Sequence, residues 1–310
     1  MKNKTTKNLI DAIDEKYNAI NQDKNVYLEG LLHSKTINYW DYIHTDALLN
    51  LQIQRTNLPD EMVFIGYHQI NELIFKMILW ELQQVAEAEL LDVDFFTDKL
   101  MRVSRYFDML ISSFNIMQEG MDVEQYNKFR HTLTPASGFQ SAQYRKIEFA
   151  STELINLIDA RFRKTIDRDT PFEHALEHLY WQAAGKDYKT GEKSILLINF
   201  ENRYKEEFIT FMKVYNTKNL WSRYKELSQE DQSNKALVAA MRHYDYTVNI
   251  TWVIAHFNAA KHYILATSGD GEATGGSNWQ KYMHPKYQKR IFFPELWTSE
   301  EIKNWGQNLD

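Results

Sequence analysis

The chain has 310 residues, 44% of them hydrophobic, and a formal net charge of −6; it is long enough for a large core, as one big domain or two ordinary ones. A mildly acidic chain with no long basic block is a poor partner for phosphate backbones. It contains no cysteine, which excludes disulfides, thiolate metal sites, Cys-ligated iron–sulfur clusters and a Cys-x-x-Cys-His haem attachment, so any haem must be held non-covalently, with His the first choice of axial ligand.

The N-terminal run Met1-Lys-Asn-Lys-Thr-Thr-Lys leads into a mixed polar segment without an apolar signal core. Apolar runs elsewhere are broken by charges, which argues against a membrane span and for a soluble, cytoplasmic protein. Only 11 glycines and 5 prolines favour long helices over a strand-and-turn fold. In chain order, Trp40–Leu51 reads as helix. Residues 60–91 read as one long helix with Asp60 as N-cap and Glu61 in the first turn. Its polar stripe is Gln69, Glu72, Lys76 and Gln83. Nearly everything else from Met62 to Trp80 is apolar, which predicts burial around most of that circumference. Segments 95–118, 138–158, 171–184, 195–216 and 228–267 also favour helix, while Arg163–Asp169 is charged and loop-like. Residues 268–278 hold four of the 11 glycines and form either a mobile tip or a backbone cradle near a ligand. No repeat period appears, and no linker divides the chain. The fold expected is all-α, a single large helical domain over residues 39–310 with an N-terminal helical extension over residues 1–38.

Several residues could carry chemistry. Tyr126 and Arg130 stand at i, i+4 and share a helix face; a guanidinium beside a phenol suits a small carboxylate with an aromatic or polar group. Ser137-Gly138 follows as a tight turn. His68 shares a stripe with Phe64 and Phe75, where a neutral buried imidazole fits; the competing reading is a core histidine bonded to Glu72. His256 sits among small residues, Ala255, Ala259 and Ala260. Such a surface lets a flat macrocycle approach and bind through the imidazole, or simply serves close helix packing around a core histidine. His44-Thr-Asp46 has the spacing of half an iron triad, but i and i+2 diverge on a helix. His174 and His178 could chelate a metal and lack an obvious third ligand. No phosphate-binding glycine motif and no Gly-x-Ser-x-Gly elbow occurs.

Taken together, these segments resemble the tryptophan 2,3-dioxygenase family from about Tyr39 to Trp297. The likeness rests on Tyr39-Trp-Asp-Tyr42-Ile43, Phe64-Ile-Gly-Tyr-His68-Gln69 with Glu72-Leu73, Tyr126-Asn-Lys-Phe-Arg130, Ser137-Gly-Phe-Gln-Ser-Ala-Gln-Tyr-Arg145 with Ile147-Glu-Phe149, Trp252 through His256, Thr274-Gly-Gly-Ser277, and Phe292-Phe-Pro-Glu295. Their order and spacing make the likeness specific. It implies an all-helical haem b homotetramer that cleaves the indole C2–C3 bond of L-tryptophan with O₂, giving N-formyl-L-kynurenine. By position, His256 matches the axial ligand of the haem iron and His68 the distal histidine that meets the indole N–H. Arg130 and Tyr126 match the carboxylate receptor, Thr274 the contact to the amino-acid head group, and Phe64 the ring packed on the indole. Ser137 and Gly138 match the turn lining the distal pocket. Tyr39, Tyr42 and Ile43 match a segment that reaches a neighbouring subunit's site.

The chain departs from the family pattern at Ile70-Asn71-Glu72-Leu73-Ile74, at Glu272-Ala273, and in a longer stretch between His256 and Thr274. Two other functions fit the same residues: a related haem-dependent aromatic amino-acid hydroxylase, and a non-catalytic helical protein that binds haem or an amino acid.

Overall fold

The structure, a computed structural model, describes residues 5–130, 138–267, 284–307 and 309. Helices dominate, and among the described residues the only β-type pairings are two isolated bridges, Ile158 with Leu179 and Lys186 with Lys193. The expected all-α class holds. Among the described residues, no helix is long and apolar enough to cross a membrane. The chain divides into two compact units, Met1–Ile53 and Gln54–Asp310.

The first unit contains α1 (Thr6–Asn18), α2 (Lys24–His33), α3 (Tyr39–Tyr42) and α4 (Thr45–Leu48). Thr5 and Asp23 cap the first two helices by accepting from Asn8 N and Asn25 N. A Tyr17–Tyr27 stack at 4.1 Å and a Lys24–Asp14 ion pair at 2.6 Å join α1 to α2. None of the four helices buries a residue, and Leu31, Leu32, Tyr39, Trp40 and Tyr42 are all exposed. The single helix expected over Trp40–Leu51 is broken. His44 adopts the left-handed conformation (φ 54°) between α3 and α4, a conformation that ends a helix and that short polar side chains tolerate best.

In the second unit α5 (Asp60–Glu87) and α6 (Val93–Glu119) lie side by side, flanked by α8 (Ala142–Ser151) and α13 (Lys235–Tyr246). Ile78, Leu82 and Val85 of α5 meet Phe96, Leu100, Val103 and Phe107 of α6 in the main core, joined by Ile147, Leu197, Leu237 and Tyr244. α9 (Phe172–Leu176) and α10 (Ile195–Tyr215) pack beyond α8, and the short α11 (Leu220–Lys225) and α12 (Gln229–Gln232) lead into α13. A smaller second core of Tyr67, Phe114, Met117, Met121, Phe129, Ala259 and Tyr263 lies where α5 and α6 meet α7 (Val123–Arg130) and α14 (Trp252–Thr267). The chain closes with α15 (Ser299–Lys303), whose Thr298 and Glu301 form a capping box.

Several expected boundaries move. α5 begins from Pro59, not from an Asp60 cap. Glu61 turns back, buried, to accept from Arg55 N, Thr56 N and Thr56 Oγ1, which fixes the loop entering α5. Burial around most of α5 does not occur: Met62, Ile70, Leu73, Met77 and Trp80 are exposed, because no described element covers that face. The expected helix over 138–158 breaks into a 3₁₀ turn, α8 and a second 3₁₀ turn. Ser141 caps α8, and Thr152 leaves it in extended backbone with its hydroxyl donating to the Phe292 carbonyl. Over 171–184 only α9 and a 3₁₀ turn form. Within 228–267, Asn234 caps α13 afresh, and a π-helical turn at Thr247–Thr251 joins α13 to α14. Asp245 sits buried just before that turn. Its carboxylate accepts from Asn249 Nδ2, Phe292 N, Phe293 N and Trp297 Nε1, pinning the C-terminal strap to the helix.

Candidate active site

The second core gathers most of the candidate residues of this unit. His68 is on α5, Tyr126 and Arg130 on α7, and His256 on α14. The ring of Phe64, one turn before His68, lies 4.0 Å from that imidazole, 6.1 Å from Tyr126 and 5.6 Å from Phe129. His68 Nδ1 is 2.8 Å from the Phe64 carbonyl oxygen. A carbonyl only accepts, so Nδ1 carries the proton and Nε2 keeps its lone pair. The competing partner, Glu72, is held instead by Gln143, whose Nε2 donates to the Glu72 carbonyl at 2.8 Å and to its carboxylate at 2.9 Å.

His68 is an exposed side chain whose pKa is nevertheless lowered by the protein mass around it, against the upward pull of the Phe64 bond and Glu72. Open surface combined with dense surroundings describes a side chain lining a recess. His256 shares that character. It is partly exposed, yet its pKa is pushed down to about 4, first by burial and then by the positive charges of His68, Arg145 and Arg290. His68 on α5 thus lies close enough to His256 on α14 for its charge to act on that ring.

Aromatic rings hold His256. Phe114 stacks on it at 5.5 Å and 15°, and Trp252, one turn earlier on α14, lies 5.4 Å away. Among the described residues the His256 ring makes no hydrogen bond, and the adjoining α14 surface is Ala255, Ala259 and Ala260. The Tyr126 ring lies 4.1 Å from that of Tyr263, tilted by 41°; burial raises the Tyr126 pKa while the nearby Arg130 charge acts against that rise. Arg130 itself is half-buried and has no hydrogen bond or carboxylate partner among the described residues. An unpaired, half-buried guanidinium beside a phenol is suited to a carboxylate brought from outside.

Tyr39, Tyr42 and Ile43 are exposed in the first unit. Gly138 opens the 3₁₀ turn Gly138–Gln140, while Ser137 and Thr274 lie outside the described residues. The His174 and His178 rings stack at 4.7 Å, and His178 Nδ1 is spent on the His174 carbonyl. Among the described residues no three His, Asp or Glu side chains converge on a metal position.

Phe114 and Tyr263 carry no weight in the sequence reading. Tyr263 is seven residues after His256, two helical turns on the same face, so periodicity points to it. Phe114 has no such signal, because its place depends on how α6 crosses α14.

This arrangement is an all-helical one in which His68, Tyr126, Arg130 and His256 stand on three helices, α5, α7 and α14, that meet at one small core. The sequence model of the family described as tryptophan 2,3-dioxygenase matches residues 29–178, which include α5 and α7. A protein of Ruegeria sp. (strain TM1040) named tryptophan 2,3-dioxygenase is 44% identical over 115 residues, 36% of this chain and 40% of that protein. One of the same name from Ruegeria pomeroyi is 40% identical over 119 residues, 38% of this chain and 42% of that protein. These two matches span less than half the length of the relatives. A third, from Bacillus thuringiensis subsp. konkukian, is 28% identical over 301 residues, 89% of this chain and 98% of that protein. The chain is similar to the tryptophan 2,3-dioxygenase family over these stretches.

Proposed function

We propose that the protein is a haem-dependent dioxygenase that opens the indole C2–C3 bond of L-tryptophan with O₂ to give N-formyl-L-kynurenine. The observation that carries this is the placement of His68 on α5 and His256 on α14 around one small core with Tyr126 and Arg130 of α7, Arg130 having no partner among the described residues. A haem b held non-covalently through His256 supplies the dioxygen chemistry. This chain's residues supply the rest. Arg130 takes the substrate carboxylate through paired charge-assisted hydrogen bonds, with Tyr126 closing one side. Phe64 packs on the indole. His68 Nε2, unprotonated because Nδ1 is bonded to the Phe64 carbonyl, accepts the indole N–H and holds the ring in one orientation.

Ser137 and Gly138 line the distal side, and Thr274, in the glycine-rich segment, contacts the amino-acid head group and excludes water. We assign residues 1–38 as an extension and 39–310 as the catalytic domain of a cytoplasmic homotetramer. In it Tyr39, Tyr42 and Ile43 reach a neighbouring subunit's site. The exposed apolar residues of the first unit and of α5 support burial against other copies.

Purified protein is expected to show a haem absorption band, lost in His256→Ala, and to convert L-tryptophan to N-formyl-L-kynurenine. A haem-free wild type, or hydroxylation of tryptophan or tyrosine without ring opening, overturns the reading.

A further inference from the structure

A charged cluster lies buried between α8 and the C-terminal strap. Arg145 Nη1 donates to Tyr180 Oη at 2.8 Å and lies 3.0 Å from Glu148 Oε2. Arg290 Nη1 donates to Glu148 Oε1 at 2.7 Å and also contacts Tyr180 and Tyr144. Glu148 is completely buried, and both arginines nearly so. Burial raises the pKa of Tyr144 and Tyr180, so the two phenols stay neutral and the cluster holds two positive charges against one negative.

Burying an unmatched charge is costly.

The excess charge has a direction. The Arg145 guanidinium lies 4.7 Å from the Tyr144 ring centroid, Tyr144 stacks on Trp252 at 4.7 Å and 25°, and Trp252 lies 5.4 Å from the His256 ring. This ladder of guanidinium, phenol, indole and imidazole places Arg145 within about 15 Å of His256. Among the causes that lower the His256 pKa, after burial, are the Arg145 and Arg290 charges. His256 also has no carboxylate partner of its own among the described residues, so nothing on this side of the site donates negative charge to it.

We propose that the Arg145–Glu148–Arg290 cluster is a charge device that biases a haem held by His256 toward its ferrous form, the form able to take up O₂. The inference rests on the haem reading above. A one-electron reduction lowers the charge on the iron by one. A fixed positive charge nearby therefore stabilises the product, and burial keeps that charge from being screened.

The test is the haem midpoint potential of the purified holoprotein, titrated with dithionite and mediators and followed in the visible spectrum. Arg145→Met leaves a neutral Arg290–Glu148 pair and should shift the ferric/ferrous equilibrium toward ferric by about three- to tenfold, on the order of 30–60 mV downward. Glu148→Gln should shift it upward by a similar factor. Arg145→Lys, which keeps the charge, should stay near wild type. Glu81→Gln, in the separate cluster of buried Glu81 and Lys99 with the exposed Arg102, should leave the potential unchanged.

Opposite shifts in Arg145→Met and Glu148→Gln support the device, because general loosening of the fold would move both the same way. No shift, or shifts of one sign, with the haem band intact overturns it and leaves the functional reading standing. If Glu148→Gln fails to fold, the contrast of Arg145→Met with Arg145→Lys decides. A wild type without a haem band overturns the functional reading and this proposal together.

Discussion

The geometry at His68 permits a test that pairs a change in the protein with a change in the proposed substrate. Nδ1 is committed to the Phe64 carbonyl at 2.8 Å, so Nε2 is an acceptor and cannot donate while the ring is neutral. The wild type should therefore discriminate between L-tryptophan, which has an indole N–H, and its benzofuran analogue, which carries oxygen there. Facing that oxygen, the Nε2 lone pair meets another lone pair and the hydrogen bond is lost. A neutral hydrogen bond contributes about 0.5–1.5 kcal/mol net, and leaving a buried polar group unmet costs about 1–3 kcal/mol. These values predict that His68→Ala lowers kcat/KM for tryptophan about 5- to 150-fold. For the benzofuran analogue it should change little, so the ratio between the two substrates narrows by nearly the same factor. The assay is kcat/KM for both substrates in both proteins, normalised to haem content. If His68→Ala depresses both substrates equally, His68 does not act on the indole N–H and the tautomer argument fails. The same reasoning sets a pH expectation. Burial holds the His68 pKa below the ordinary imidazole value, so activity should persist as pH falls through 6.5 and be lost only when a second proton makes both nitrogens donors.

Arg130→Ala should lose about 2–4 kcal/mol of transition-state binding, or about 30- to 1,000-fold in kcat/KM for tryptophan, with the haem band intact; normal turnover would remove Arg130 from the receptor. In apoprotein, His256 titrates near 4 when folded and near 6.5 when unfolded. The unfolded chain thus binds more protons below pH 6.5, and stability falls as pH drops from 6.5 toward 4. Urea unfolding of apoprotein at pH 7.5 and 5.5 should show a loss of about 1 kcal/mol from this residue, absent in His256→Phe; an equal loss in that variant would refute it. Gly306→Ala should destabilise the protein by about 1–3 kcal/mol, because Gly306 has φ 68° and an added Cβ would sit 2.7 Å from Lys286 N and Pro285; an unchanged melting temperature would show that the C-terminal turn relaxes freely.

How much of this was legible in the sequence depends on what each element answers to. α6 and α10 lie where their apolar periodicity puts them, within two residues, since a long amphipathic stripe is local information. The expected helices over 138–158 and 228–267 break where Ser141 and Asn234 cap new helices. A single polar residue inside a helical pattern looks the same whether it caps or merely faces water. Exposure of Leu73, Met77 and Trp80 on α5 was unreadable, because an exposed apolar stripe has the same composition as a core-facing one. At the site, the i, i+4 spacing of Tyr126 and Arg130 gave their shared face directly. The competing local reading of His68 offered Glu72 as its partner; in the structure Nδ1 faces the Phe64 carbonyl, and Gln143, distant in sequence, holds that carboxylate. The Arg145–Glu148–Arg290 cluster joins residues 142 positions apart, beyond the reach of any windowed pattern.

The π-helical turn at Thr247–Thr251 has a consequence for the orientation of the whole site. Such a turn accommodates one residue more than the α-helical path would. Since each residue of an α-helix advances about 100° around the axis, the extra residue rotates everything after it by about that angle. His256, Ala259 and Tyr263 therefore point where an uninterrupted continuation of α13 would have pointed their neighbours, and the stripe that α13 buries in the main core is handed to a different flank in α14. One surplus residue thus lets a single rod serve two masters, anchoring the scaffold along one meridian and presenting an imidazole along another.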